Sequence, residues 1–145
     1  MTMDTTHKES HMTVAVAHQA SSASNRIALQ TAAREAALRD TDLAVLHIVE
    51  ALDLDVSEAY RQGLADEVEK ALEVIQVPGL EWRLHLEVGD DVSAKVLDLA
   101  NQVDASLLVI GARRRSPVGK FLLGSVTQTL ILEAEMPVVV VKPPR

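Results

Sequence analysis

From Met12 onward, short runs of aliphatic and β-branched residues alternate with longer stretches of helical period, the sequence form of repeated βα units and so of a mostly parallel sheet. Strands are expected over Thr13 to Ala17, Leu43 to Val49, Glu81 to Val88, Leu107 to Ile110 and Val138 to Lys142. The second, fourth and fifth (LAVLHIV, LLVI, VVVV) are nearly continuous apolar runs, as strands covered by helices on both faces should be. The third, EWRLHLEV, alternates: Trp82, Leu84, Leu86 and Val88 fall on one side, Glu81, Arg83, His85 and Glu87 on the other, which predicts a place near an edge.

Four helices are expected between these strands. Ser24 to Arg39 is Ala-rich, with Ile27, Ala28, Ala32, Glu35 and Ala36 at helical spacing and small enough for close packing on a sheet. Ser57 to Gln76 carries the stripe Tyr60, Leu64, Val68, Leu72, Ile75 and leads into a Pro78–Gly79 turn. Asp91 to Val103 aligns Val92, Val96, Leu99 and Val103, and Asp90 and Asp91 suit a helix start. Ser125 to Ala134 is shorter and is stopped by Pro137.

A chain of 145 residues has room for one such domain. The polar opening, residues 1–11, reads as a disordered leader, and residues 12–145 as the domain. With only Tyr60, Trp82 and Phe121 aromatic and a formal net charge of -7, the chain offers neither base-stacking platforms nor the large positive face that nucleic-acid binding draws on. It has no cysteine, which removes thiol chemistry and cysteine-ligated metals. No apolar run approaches the ~20 residues that span a bilayer, and the expected location is the cytoplasm.

The segment that carries chemistry is GARRRSPVGKFLLGSVTQ, residues 111–128. Gly111 directly follows a buried strand, so the chain turns at the carboxyl end of the sheet, where open α/β folds bind ligands at a switch of strand order. Gly124 and Ser125 then open a helix, whose free N–H groups and partial positive charge make a seat for phosphate. Arg113, Arg114, Arg115 and Lys120 add cationic reach.

These residues resemble the universal stress protein family. Its phosphate-binding pattern is Gly, two residues, Gly, nine residues, Gly, then Ser or Thr. Gly111, Gly124 and Ser125 match in register, with Arg114 at the second glycine. The resemblance extends to ASNRIALQTAAREA, LAVLHIVE, VGDDVSAKVLDLA and PVVVVKP, nearly the whole chain from Met12. It implies a three-layer, doubly wound, five-stranded parallel sheet of order 3-2-1-4-5, flavodoxin- or Rossmann-like, and a homodimer pairing through the last strand, Val138 to Lys142. It also implies a stress-response protein that binds ATP, with Mg2+ only as the nucleotide's companion. Carried over position by position, the contacts are Ile110, Gly111, Ala112, Gly124, Ser125, Val126 and Thr127, with a residue near Val45 against the base. Relatives hold the ribose with an acid after the first strand, whereas this chain reads Ala17, His18, Gln19, so that His18 or Gln19 is left to bond a ribose hydroxyl.

Structural readings compete at each position. Ser125 with Gln128 also spells a capping box, which satisfies helix N–H groups without a ligand. The arginine triplet, Arg113 and Arg114 included, reads equally as a phosphate clamp or as a solvated face. His18, His47 and His85 lack metal-ligand spacing; His18, at a strand end, is the one to watch, while His47 and His85 read as ordinary strand residues. No nucleophile and base at suitable spacing argue for an enzyme, though slow ATP hydrolysis stays open. A phosphoacceptor would need an aspartate ending a strand, and a dinucleotide-binding fold would need GxGxxG after strand one; neither is present. Two functions follow: a regulatory protein binding an adenine nucleotide or other phosphate ligand at the loop after the fourth strand, or a nucleotide-free interaction module of the same fold acting through homodimer or partner contacts.

Overall fold

The computed structural model describes residues 12–19, 23–50, 57–114 and 121–142. Five parallel strands form one sheet: β1 (Thr13–His18), β2 (Leu43–Val49), β3 (Trp82–Val88), β4 (Ala105–Gly111) and, last in the chain, β7 (Val138–Val141). Their spatial order is β3-β2-β1-β4-β7, the expected 3-2-1-4-5 arrangement with the reversal between β1 and β4. Helices α1 (Ala23–Leu38), α2 (Glu58–Ile75), α3 (Val92–Gln102) and α4 (Ser125–Glu133) connect them. The sequence reading did not anticipate a two-residue antiparallel ladder between β4 and α4, in which β5 (Arg113–Arg114) pairs with β6 (Phe121–Leu122).

The strand pleat sends alternate residues into two separate apolar layers. Val14, Val16, Leu43, Val45, Leu107 and Val109 meet Ala28, Leu29, Ala32, Ala33 and Ala36 of α1, together with Val68 and Ala71 of α2. Ala15, Ala44, Leu46, Leu108 and Ile110 face the other way, onto Val96, Leu99 and Ala100 of α3 and Leu130 of α4. Alanines at positions 28, 32, 33 and 36 let α1 lie close on β1 and β4 with no side-chain volume to spare. β3 sits at the edge, as its alternation implied, and Val88 there is exposed.

Local chemistry agrees with these boundaries. Ser57 caps α2 by accepting from the Tyr60 N–H, and Asp91 caps α3 by accepting from the Ala94 N–H. Gly79 takes a φ of 76°, a left-handed conformation that glycine adopts freely, in the turn after Pro78. None of the helices among the described residues is long and apolar enough to cross a membrane.

Candidate functional site

The carboxyl edge of the sheet gathers the expected loop and the end of β1. Val16 and Val109 are the last pair of the β1–β4 register, and two residues further along β1 ends at His18 and β4 at Gly111. Gly111 pairs with Val141, and the Ala112 N–H donates to the Val141 carbonyl at 2.8 Å, so the exit of β4 is pinned to β7. Ile110 and Ala112 are buried. Arg113 and Arg114 lie in β5, and their pairing with β6 returns the chain to the start of α4. Arg115 and Lys120 fall outside the described residues.

At α4 the capping-box reading is corrected. Gly124, not Ser125, is the N-cap, and it brings no side-chain cap bond to the helix. Gln128 turns its amide back to donate to the Leu123 carbonyl at 2.8 Å instead of reaching a cap N–H. Gly124 has ordinary extended angles (φ -69°, ψ 167°), and a Cβ there would meet no described atom within 4 Å. Neither backbone strain nor packing against the described residues therefore calls for glycine at this position. Ser125 is exposed, whereas Val126 and Thr127 are half-buried.

Val45 is fully buried in the middle of β2, between Val16 and Leu84, and presents no surface to a base in this structure. Gln19 is exposed, and its backbone is tied to Asn25 at the start of α1: the Gln19 N–H donates to Asn25 Oδ1 at 3.0 Å, and Asn25 Nδ2 donates to the Gln19 carbonyl.

The largest departure from the sequence reading is at the histidines. His18 and His47 are register partners in the β1–β2 ladder, so their rings leave the same face of the sheet, and both are buried. Their Nδ1 atoms face each other at 3.1 Å. His47 Nε2 lies 3.2 Å from the Tyr60 hydroxyl, and His18 Nε2 lies 3.3 Å from Glu67 Oε2. Both nitrogens of His18 thus have protein partners, which leaves none for a ribose hydroxyl. Burial pushes each imidazole down to about 4; His47 is lowered further by charge repulsion from His18 and raised by its hydrogen bond with His18 and by the charge of Glu67. His47 is therefore no ordinary strand residue. The pairing follows from the β1–β2 register, in which each histidine stands four residues after the partners Val14 and Leu43, and no sequence period marks it. His85, by contrast, is partly buried and has its pKa lowered by burial first and then by Arg83 and Arg61.

No group of three or more His, Asp or Glu side chains among the described residues is placed to hold a metal ion. An open groove of about 450 Å³ lies away from the glycine loop, at the amino end of β3, between Leu72 of α2, Gln76 just after that helix, Leu80 and Trp82.

This fold is shared with known proteins over most of the chain. The universal stress protein family's sequence profile matches residues 11–142. The chain belongs to the universal stress protein family. A universal stress protein of Mycolicibacterium smegmatis is 42% identical over 119 residues, covering 81% of this chain and 88% of that protein. Among solved structures, a universal stress protein from Archaeoglobus fulgidus superposes with a TM-score of 0.73 at 32% identity, over 91% of this chain and 99% of that one. The structure of the universal stress protein from Archaeoglobus fulgidus in complex with dAMP gives a TM-score of 0.69 at 28% identity, over 91% and 98%. Against the family's loop pattern, this universal stress protein keeps Gly111, Gly124 and Ser125 and departs at Arg114.

Proposed function

We propose that this chain is a regulatory universal stress protein that binds an adenine nucleotide or another phosphate ligand at the loop after β4. The observation that carries the reading is the start of α4. Its N-cap is a glycine, which brings no side-chain cap and which neither backbone angles nor described packing requires, and the helix opens at the edge where the strand order reverses. Glycine at such a place admits a ligand's oxygens against the backbone. The dAMP complex of a relative at 28% identity supports an adenine nucleotide as the ligand. Gly111, Ala112, Gly124, Ser125, Val126 and Thr127 would surround the phosphates, with the Arg113–Arg114 strand beside them, and Mg2+ would arrive only with the nucleotide. His18 is reassigned from ribose contact to the interior of the fold.

A homodimer through β7 belongs to the same reading. Val138–Val141 is an edge strand of four half-buried valines, and Ile131 and Leu132 of the neighbouring α4 are exposed. The opposite edge is protected: Arg61 donates to the Leu84 carbonyl at 3.1 Å, and Arg83 and Glu87 add charge to the strand.

A second reading, an interaction module without nucleotide, is favoured by one observation, the engagement of both His18 nitrogens where relatives are expected to hold the sugar. Calorimetric titration with ATP, ADP and cyclic AMP separates the two. The binding reading expects saturable heat that vanishes in Gly124→Asp; equal traces for parent and variant would leave the interaction module.

A further inference from the structure

The four side chains Tyr60, His47, His18 and Glu67 form an unbroken line, and its protons can be placed by elimination. An ionised carboxylate only accepts, so His18 Nε2 carries a hydrogen and donates to Glu67, 3.3 Å away. Neutral His18 then has a bare Nδ1, which accepts. Across the 3.1 Å gap His47 Nδ1 must be the donor, and that leaves His47 Nε2 bare to accept from the Tyr60 hydroxyl at 3.2 Å. Three hydrogens serve three bonds, all running in one direction. No buried side-chain nitrogen or oxygen among the described residues lacks a partner.

A fourth proton breaks this order. On His18 Nδ1 it sets two N–H groups against each other over 3.1 Å; on His47 Nε2 it reverses the bond to Tyr60, whose hydroxyl must turn to accept; either way a cation is placed in a pair that is 3% and 4% exposed. The ends of the line are both on α2: Tyr60 and Glu67 stand seven residues apart, two helical turns, and so share one face. The histidines belong to β1 and β2. The line is therefore the polar seam that fastens the first half of α2 to the carboxyl end of the sheet, beyond the apolar contacts of Val68 and Ala71.

We infer that the Tyr60–His47–His18–Glu67 line is an acid-sensitive latch, which holds α2 on the sheet while both imidazoles are neutral and releases its first two turns when one proton is taken up. Among the described residues bonded to the pair, Glu67 is the one that carries a charge. From β3, the register partner of His47 is Leu86. From β4 comes Val109, register partner of the Val16 that precedes His18 by two residues, and at the start of α1 Asn25 is bonded to Gln19. Arg61 on α2 is turned to the Leu84 carbonyl. Glu67, whose side chain is 45% exposed, is the water-facing end by which a proton enters. The latch is independent of the nucleotide reading, since it uses no residue of the glycine loop.

The test is an NMR titration of the full chain from pH 7.5 to 4, following the imidazole resonances of His18, His47 and His85 together with the amide resonances of α2. The latch requires His18 and His47 to stay neutral well below the ordinary histidine pKa and then to titrate in one step shared with amides 58–68, while α3 and α4 amides stay in place. Glu67→Gln keeps an acceptor for His18 but removes the charge that favours an imidazolium, so its shared step moves to lower pH. The paired apolar change His18→Leu with His47→Leu abolishes the step. Independent titration of the two rings near pH 6.5 with no movement in α2 overturns the latch. So does an unchanged α2 step in Glu67→Gln, a readout that holds even if the double variant fails to fold.

Discussion

His18 and His47 stand opposite each other in the β1–β2 register, with their rings tilted by 49° and their Nδ1 atoms 3.1 Å apart in the interior. Both are held neutral by burial, with pKa values lowered from 6.5 to about 4. The unfolded chain therefore binds protons that the folded chain refuses. Stability is full above pH 6.5 and falls as pH drops from 6.5 toward about 4. A single imidazole shifted this far accounts for up to about 3 kcal/mol over that window. Urea unfolding at pH 7 and pH 5, where most carboxylates are still ionised, should show a clear part of that loss in the parent and much less in His18→Leu with His47→Leu. A parent whose unfolding free energy is level across this range would contradict the assignment.

Gly124→Asp should separate folding from binding. The backbone at this N-cap is already extended, a Cβ meets no described atom within 4 Å, and aspartate is a better N-cap than glycine. Its thermal midpoint should match or slightly exceed that of the parent, by a few tenths of a kcal/mol. The same carboxylate would occupy the helix N–H groups and repel phosphate, so the rise in midpoint that the binding reading expects of the parent in millimolar ATP should be absent in the variant. A variant that melts much earlier without ligand would show that the fold, and not a ligand, needs the glycine.

The two side-chain caps give a paired control. Ser57 accepts from Tyr60 N–H at 3.1 Å, and Asp91 accepts from Ala94 N–H at 3.1 Å. Ser57→Ala and Asp91→Ala should each cost about 1 kcal/mol, roughly 3 °C in a domain of this size. Only Ser57→Ala should also ease the acid release of α2, because it loosens the turn that carries Tyr60. Equal acid midpoints in the two variants would deny that coupling.

The elements were legible because each rests on a local pattern. LAVLHIV and VVVV are continuous because helices cover both faces, and EWRLHLEV alternates because it stands at an edge. The Asp91 start and the Pro78–Gly79 turn follow from residue chemistry within four positions. The histidine line was illegible for the opposite reason. It depends on a register between strands 29 residues apart and on the rotation of α2 that brings Tyr60 and Glu67 over them, neither of which a periodicity records. The error at Ser125 was smaller in scale. Serine followed three residues later by glutamine fits a cap, yet the helix begins on the preceding glycine and Gln128 finds a nearer carbonyl at Leu123.

The two edges of the sheet differ enough to predict which one pairs. In β7 the Val141 carbonyl accepts from Ala112 and the Pro137 carbonyl accepts from Leu108, so the odd-numbered residues of this strand face β4 and the backbones of Val138 and Val140 point away from it. Val140→Pro would delete an outward N–H while sparing the ladder to β4. If copies of the chain pair through β7, this variant should weaken the dimer at least about tenfold, the equivalent of about 1.4 kcal/mol, with its monomer still folded. On β3, Arg61→Ala would uncover the Leu84 carbonyl and leave the dimer constant unchanged. Sedimentation equilibrium of the three proteins decides between the edges. A dimer that survives Val140→Pro and responds to Arg61→Ala would move the interface to β3, where charged Arg83 and Glu87 would have to be accommodated at the join.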